Sequence, residues 1–178
     1  MRPAPSTAYK CMMKAAFTAA LCIVAAACGT NDRQALQIAT QAYGKAWASR
    51  DVERILALHA EQSEFVLFVD GTERAVGKAA IRDQFRAILR EQPGYASKVV
   101  DIAFGDDFAV IEYEIHGNTA TPFRLGRRRF TPSGSPYEVR SIDVIRFKEG
   151  LVTSKHTYVD IDAVHNNSIT AEILGRVR

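Results

Sequence analysis

Four β-prone runs in the second half of the chain, Val99 to Phe104, Phe108 to Ile115, Tyr137 to Phe147 and Val152 to Val159, constrain the fold more than any other feature. Two of the links between them, Gly105-Asp106-Asp107 and Glu149-Gly150, are turn residues. Links this short cannot carry a parallel crossover, so the strands they join must pair antiparallel. The remaining link opens with Gly117-Asn118 and continues from Thr119 to Pro136, rich in Thr, Arg, Gly and Pro, as a mobile hairpin extension or a cavity rim. Ahead of the strands the periodicity is helical. Leu36, Ala39, Tyr43 and Trp47, widened by Ala42 and Ala46, form one apolar stripe. Ser49-Arg50-Asp51 breaks it, and Asp51 is placed to cap a short second helix carrying Ile55, Leu56 and Leu58. Phe65 to Val69 reads as a strand, Asp70-Gly71 as a hairpin turn, and the return strand ends near Val76. A third helix with Ala80, Ile81, Phe85, Ile88 and Leu89 on one face follows Gly77 and stops at Pro93-Gly94; a short C-terminal helix is expected around Thr170 to Leu174. The order predicts an α+β fold in which helices lie on one face of a curved antiparallel sheet that wraps a cavity.

At 178 residues there is room for one domain and an appendage. The appendage is N-terminal. Lys14 precedes 13 uncharged, mostly apolar residues, Ala15 to Ala27, which suits a signal-peptide core and is too short for a membrane span. Cys28-Gly29 after small residues resembles the lipobox of bacterial lipoproteins, with Ala25 standing where that pattern carries leucine. Two processing routes are therefore open, acylation at Cys28 or conventional cleavage after Ala25-Ala26-Ala27, and Met12 or Met13 would serve as an alternative start. The division expected is a signal over 1–27, a tether over 28–33 and a domain over 34–178, exported and either lipid-anchored facing the periplasm or free in the periplasm or medium. Three of the 23 basic residues, Arg2, Lys10 and Lys14, precede Cys28, whereas all 20 acidic residues follow it. The segment beyond the signal is thus formally neutral, which argues against a general nucleic-acid surface. Cys11 and Cys22 lie in the signal and Cys28 at its boundary, leaving no thiol for a disulfide, metal site or nucleophile.

The opening helix with Tyr43 and Trp47, the Asp51 after it, the stretch Ile142-Asp143-Val144-Ile145-Arg146-Phe147, then Glu149-Gly150-Leu151-Val152 and Tyr158-Val159-Asp160, together resemble SnoaL-like proteins of the nuclear transport factor 2-like superfamily. The resemblance runs from about Gln34 to Gly175 and rests most on IDVIRFKEGLV. It implies a cone-shaped, cystatin-like roll. Polyketide cyclases, epoxide hydrolases, isomerases and proteins without known activity share that fold, so the fold alone does not set the function.

Strand alternation selects the residues able to see the cavity. Val139, Ser141, Asp143, Ile145 and Phe147 share one face, opposite Arg140, Ile142, Val144 and Arg146. A carboxylate among apolar neighbours loses hydration of its charged form and so becomes a usable acid or base near neutral pH. In the cyclases that the chain resembles, an aspartate here moves a proton next to a carbonyl. On the last strand Lys155 marks the outer face, which turns His156 and Tyr158 inward with Val152 and Ser154 as partners of Asp143; a core histidine satisfied by one hydrogen bond is the plain alternative for His156. Asp160 closes that strand as a cap. Ile111, Tyr113 and Ile115 are the apolar face of their strand, leaving His116 with Glu112 and Glu114 on the polar side. Tyr113 joins Tyr43 and Trp47 as candidate binding residues, although aromatic residues at helical spacing are more often plain core. Arg124, Arg127, Arg128, Arg129 and Arg140 read as a solvated basic stretch.

The sequence carries no phosphate-binding glycine loop, no nucleophile elbow and no H-E-x-x-H pair, and His165 beside Asn166-Asn167 is too little for a metal site. The expectation is a domain that binds a small apolar or carbonyl-bearing molecule, with Asp143, assisted by His156 or Tyr158, transferring protons without metal or organic cofactor. The rival is a non-catalytic module that uses its pocket or open sheet face for a protein partner, often as a homodimer.

Overall fold

In the computed structural model, residues 32–69, 72–92, 94–117, 122–132, 134, 136–160 and 169–173 are described, in a chain that divides into a unit Met1–Ala35 and a unit Leu36–Arg178. The signal segment with Cys28, the Asp70-Gly71 turn and His165 lie outside the described residues. Helix α1 spans residues 32–48, and the stripe predicted for it is the face it buries: Leu36, Tyr43 and Ala46 are buried, with Ala39 and Trp47 packed alongside. Its end is marked by Arg50, at a left-handed φ of 57°. The Arg50 guanidinium donates to the carbonyls of Leu89 at 2.9 Å, Gln92 at 3.1 Å and Tyr95 at 3.2 Å. One side chain thus satisfies carbonyls in the last turn of the third helix and just beyond it, and ties that segment to the end of α1. Asp51 caps α2 (Val52–Ala57) as expected, its Oδ1 accepting from the backbone N–H of Glu53 at 3.0 Å and of Arg54 at 3.2 Å.

Among the described residues, nine strands flank helix α3 (Gly77–Glu91): β1 (His59–Phe68), β2 (Ala75–Val76), β3 (Ala96–Phe104), β4 (Phe108–Gly117), β5 (Phe123–Leu125), β6 (Arg128–Pro132), β7 (Tyr137–Lys148), β8 (Leu151–Val159) and β9 (Ile169–Ile173). The main sheet has the order β2-β1-β8-β7-β4-β3. Its β3-β4-β7-β8 portion is the predicted antiparallel meander. The pairing of β1 with β8 is parallel, however, because the chain leaves β1 for α3 and the meander before β8 returns to it.

Helices α1 and α3 cover one face. Phe85 of α3 is fully buried, with ring centroids 4.8 Å from Trp47, 5.0 Å from Phe65 and 5.6 Å from His59, all edge-on. Burial of such a ring is worth about 1.5–3 kcal/mol, and edge-on aromatic pairs add to it.

One expectation is corrected and another is met in one of its two alternatives. The C-terminal segment expected to be a helix near Thr170 forms strand β9, because β6 offers it an antiparallel ladder from Ile169 opposite Pro132 to Ile173 opposite Arg128. The connection after Gly117 does contain a hairpin, β5-β6, but this packs into its own three-stranded sheet with β9, and none of its described residues lines the cavity described below.

The hairpin between β7 and β8 sets the site. Glu149 (φ 53°) and Gly150 (φ 78°) both take positive φ, the requirement of a two-residue turn whose twist matches its strands. Pairing starts as Lys148 with Leu151 and Phe147 with Val152, then slips by one residue, so that Arg146 faces Ser154 and Asp143 faces Thr157. Thr153 is the extra residue of this β-bulge, its hydroxyl donating to the Arg146 carbonyl at 3.3 Å. A one-residue slip exchanges the two faces of a strand. Val152 is buried, and so are Lys155 and Thr157, on the opposite parity.

Gly44 lies within α1, where a Cβ would meet nothing within 4 Å. Gly44→Ala should therefore stabilise the protein by about 0.5–1 kcal/mol through reduced freedom of the unfolded chain. A urea unfolding midpoint unchanged or lowered by this substitution would contradict the packing described for α1.

Candidate functional site

Between α1, the end of α3 and the concave face of the sheet lies a cavity of about 240 Å³. Its walls are mostly apolar, built by Trp47, Phe65, Leu67, Ile88, Ile111, Ile115, Ile145 and Val159. The strand alternation read from the sequence holds on β7: Val139, Ser141, Asp143, Ile145 and Phe147 are all buried, while Arg140, Ile142 and Arg146 are exposed. Asp143, 8% exposed, lines the cavity. Tyr43, Trp47 and Tyr113 line it as well.

The company Asp143 keeps differs from the expectation. Its Oδ1 accepts from the Thr157 hydroxyl at 2.7 Å and from the Tyr113 hydroxyl at 3.2 Å. Its Oδ2 contacts the ammonium of Lys155, which also donates to Thr157 Oγ1 at 2.9 Å. Lys155 is 3% exposed, and its Nζ lies 5.5 Å from the Trp47 ring and 5.9 Å from the Phe65 ring, within cation–π range. Desolvation draws the Lys155 ammonium below its ordinary pKa, and the Asp143 carboxylate opposes that shift. A charge left without its partner here must either stand uncompensated in the interior or give up its charge by proton exchange.

Neutral phenols surround it. Burial raises Tyr43 and Tyr113 well above the usual tyrosine value, with the Asp143 charge adding to the effect, and Tyr95 is pushed up to about 12 by burial and Asp143. At neutral pH all three are hydrogen-bond donors. Behind Tyr43 sits His59, fully buried, with Nε2 2.9 Å from the Tyr43 hydroxyl and Nδ1 3.0 Å from Ser63 Oγ. Burial, then the charges of Lys155 and Lys78, hold His59 down to about 3, so the ring is neutral and bridges the two hydroxyls.

His156 and Tyr158, expected beside Asp143, are corrected by the bulge at Thr153: both lie on the opposite face of the sheet, and Lys155, expected on the outer face, points in. His156 Nε2 pairs with Glu64 Oε1 at 2.9 Å, and Glu64 also contacts Arg74. The His156 hydrogen bond, then the Arg74 partner, hold Glu64 below the ordinary carboxylate range. Tyr158 is 43% exposed and stacks on Phe68 with centroids 4.4 Å apart and planes at 2°. His116 lies on the outer side as expected, between Glu114 and Glu138. The sequence did not single out Lys155, Thr157, Tyr95 or His59 for the site. Only the register could have exposed the first two: an unbroken ladder from the Glu149-Gly150 turn would set Asp143 opposite His156, and one inserted residue sets it opposite Thr157. Among the described residues no group of three or more His, Cys, Asp or Glu could hold a metal ion.

Helices packed into the concavity of a curved sheet, with a carboxylate inside, define a class of α+β rolls. Residues 40–155 match the SnoaL-like domain, and the chain belongs to that family. Among solved structures it is similar to a protein of ketosteroid isomerase-like fold from Catenulispora acidiphila, in complex with trimethylamine (15% identity, 73% of this chain and 91% of that one, TM-score 0.59). A second is TerC co-crystallised with polyporic acid (15% identity, 71% and 92%, TM-score 0.56). A third is an NTF2-like protein of unknown function from Cytophaga hutchinsonii (18% identity, 70% and 98%, TM-score 0.54). At these identities the likeness establishes the fold. No curated protein matches the chain.

His59 supplies a pH dependence whose sign is fixed. Its folded value, about 3, is below the unfolded 6.5, so only the unfolded chain takes up the proton between them and stability falls as pH drops through that window. The loss from this residue is roughly 1.4 kcal/mol per pH unit, or about 2 kcal/mol between pH 6.5 and 5. Urea unfolding of wild type and His59→Gln at pH 7 and pH 5 should show the larger acid loss in wild type; equal losses would refute the assignment.

Proposed function

We propose that the domain is an acid–base enzyme acting on a small, largely apolar molecule with a carbonyl group, its proton transfer carried by Asp143. The observation that carries this reading is the placement of the Asp143 carboxylate at the wall of an apolar cavity, fixed from three sides by Thr157, Tyr113 and Lys155. A base held in this way needs no reorganisation when a substrate C–H bond is presented to it, and the neutral hydroxyls of Tyr43 and Tyr95 can donate to the oxygen on which charge develops. His156 and Tyr158 have no part in this version of the site. Small organic molecules in the crystals of two proteins of the same fold, trimethylamine and polyporic acid, support a small-molecule occupant here.

The base can be assayed before the substrate is known. A benzisoxazole undergoes ring opening to a cyanophenolate once a base removes its C–H proton, and an apolar cavity with a fixed carboxylate accelerates that step. Wild type should catalyse the reaction, and Asp143→Asn should lower the rate by about 100-fold while the unfolding transition persists. The amide introduced by that substitution keeps an acceptor for Thr157 and Tyr113, and Lys155 can shed its proton. Equal rates in the two proteins would end the proposal. No rate above buffer in either would favour the non-catalytic rival, for which the half-exposed Phe68, Tyr158 and Ile142 on the open face provide an apolar surface.

The proposal extends to location: the segment before Cys28 exports the chain and Cys28 carries the anchor. Expressed in a Gram-negative host, wild type should sediment with membranes and be released by detergent, and Cys28→Ser should shift to the supernatant. Wild type found wholly in the supernatant would refute the anchor.

A further inference from the structure

We propose that Lys155 is a covalent catalytic residue, forming a reversible imine with a small aldehyde or ketone in the cavity. The inference rests on the reading of the cavity as a site for a carbonyl compound and adds a nucleophile that the acid–base role of Asp143 does not require.

Three observations carry it. Among the described residues Lys155 is the one Lys or Arg lining the cavity, and Thr157 and Asp143 beside it line the same wall. Its ammonium has three N–H donors, of which Asp143 Oδ2 and Thr157 Oγ1 take two; against the third lie the Trp47 and Phe65 rings. A buried pair that served stability alone would do as well as matched apolar side chains, whereas this one stands at a cavity wall with one donor unspent. Finally, a proton acceptor touches the amine. Burial in an apolar cavity favours the neutral amine, which activates lysine as a nucleophile.

The step balances with the groups present. Asp143 takes a proton from the Lys155 ammonium. The nitrogen lone pair adds to the carbonyl carbon, the C=O π pair moves to oxygen, and that oxygen takes the proton back from Asp143. The nitrogen then loses a proton to Asp143. Asp143 returns it to the hydroxyl, which departs as water while the nitrogen lone pair closes the C=N bond. Ammonium and ketone become iminium and water, Asp143 ends as the carboxylate it began as, and nothing is oxidised or reduced. The iminium withdraws electrons from the adjacent C–H bond, which lies beside the same carboxylate.

The test is reductive trapping of the wild-type chain at pH 7 with cyclohexanone, then with benzaldehyde, in the presence of cyanoborohydride, which reduces C=N to a stable secondary amine. Peptide mapping should place one group on Lys155. Burial holds Lys155 below the ordinary lysine value and so leaves it more free amine, and it should be modified at least about tenfold faster than the exposed Lys45 and Lys148. Lys155→Met should abolish the fast phase. Lys155 left unmodified by both probes, or modified no faster than Lys148, overturns the proposal. If benzisoxazole opening still depends on Asp143 in that case, the acid–base reading survives and only the imine falls; if neither reaction occurs, both fall. The wild-type labelling rate decides the matter without reliance on a variant that folds.

Discussion

A charge taken out of water must meet its opposite or give up its proton, and the interior of this domain is organised by that demand. Asp143 comes from β7, Lys155 and Thr157 from β8, and Tyr113 from β4, so three adjacent strands must hold their register for the carboxylate to be satisfied. The cation in turn lies over Trp47 of α1 and Phe65 of β1, which brings the helical layer and the strand beyond into the same arrangement. Burying an ion costs several kcal/mol before its partners compensate, so misregister anywhere in the central sheet is penalised more heavily than loss of an apolar contact.

Much of this was legible in the sequence wherever a period of 2 or 3.6 ran unbroken. The α1 stripe, the Asp51 cap, the α3 face and the inward set of β7 each follow from the spacing of apolar side chains, and the links Gly105-Asp106-Asp107 and Glu149-Gly150 mark the turns that join neighbouring strands of the meander. Order of elements together with the IDVIRFKEGLV stretch pointed to the family that residues 40–155 match. The site was half legible, since Asp143, Tyr113, Tyr43 and Trp47 all line the cavity.

What stayed hidden was non-periodic or non-local. Thr153 carries no mark of a bulge, yet that one residue turns Lys155 in and sends His156 and Tyr158 out. Lysine in a strand is ordinarily solvated, and only its carboxylate partner on β7 makes burial tolerable. His59 enters the core because Tyr43 and Ser63 complete its hydrogen bonds, a pairing that joins α1 to β1. Strand β9 is hidden for the same reason: local propensity near Thr170 gives no hint of the ladder on β6.

The parallel seam between β1 and β8 has a kinetic side. Phe65 meets Lys155, and Glu64 meets His156 across 92 residues of chain, so the sheet cannot close until nearly the whole domain is available. Loop-closure entropy delays contacts of that separation, and the earlier α1, β1 and α3 segments must wait with one apolar side uncovered. During synthesis, therefore, the emerging polypeptide should stay open and dependent on chaperones almost to its last strand, with its ionic pair among the latest contacts to assemble.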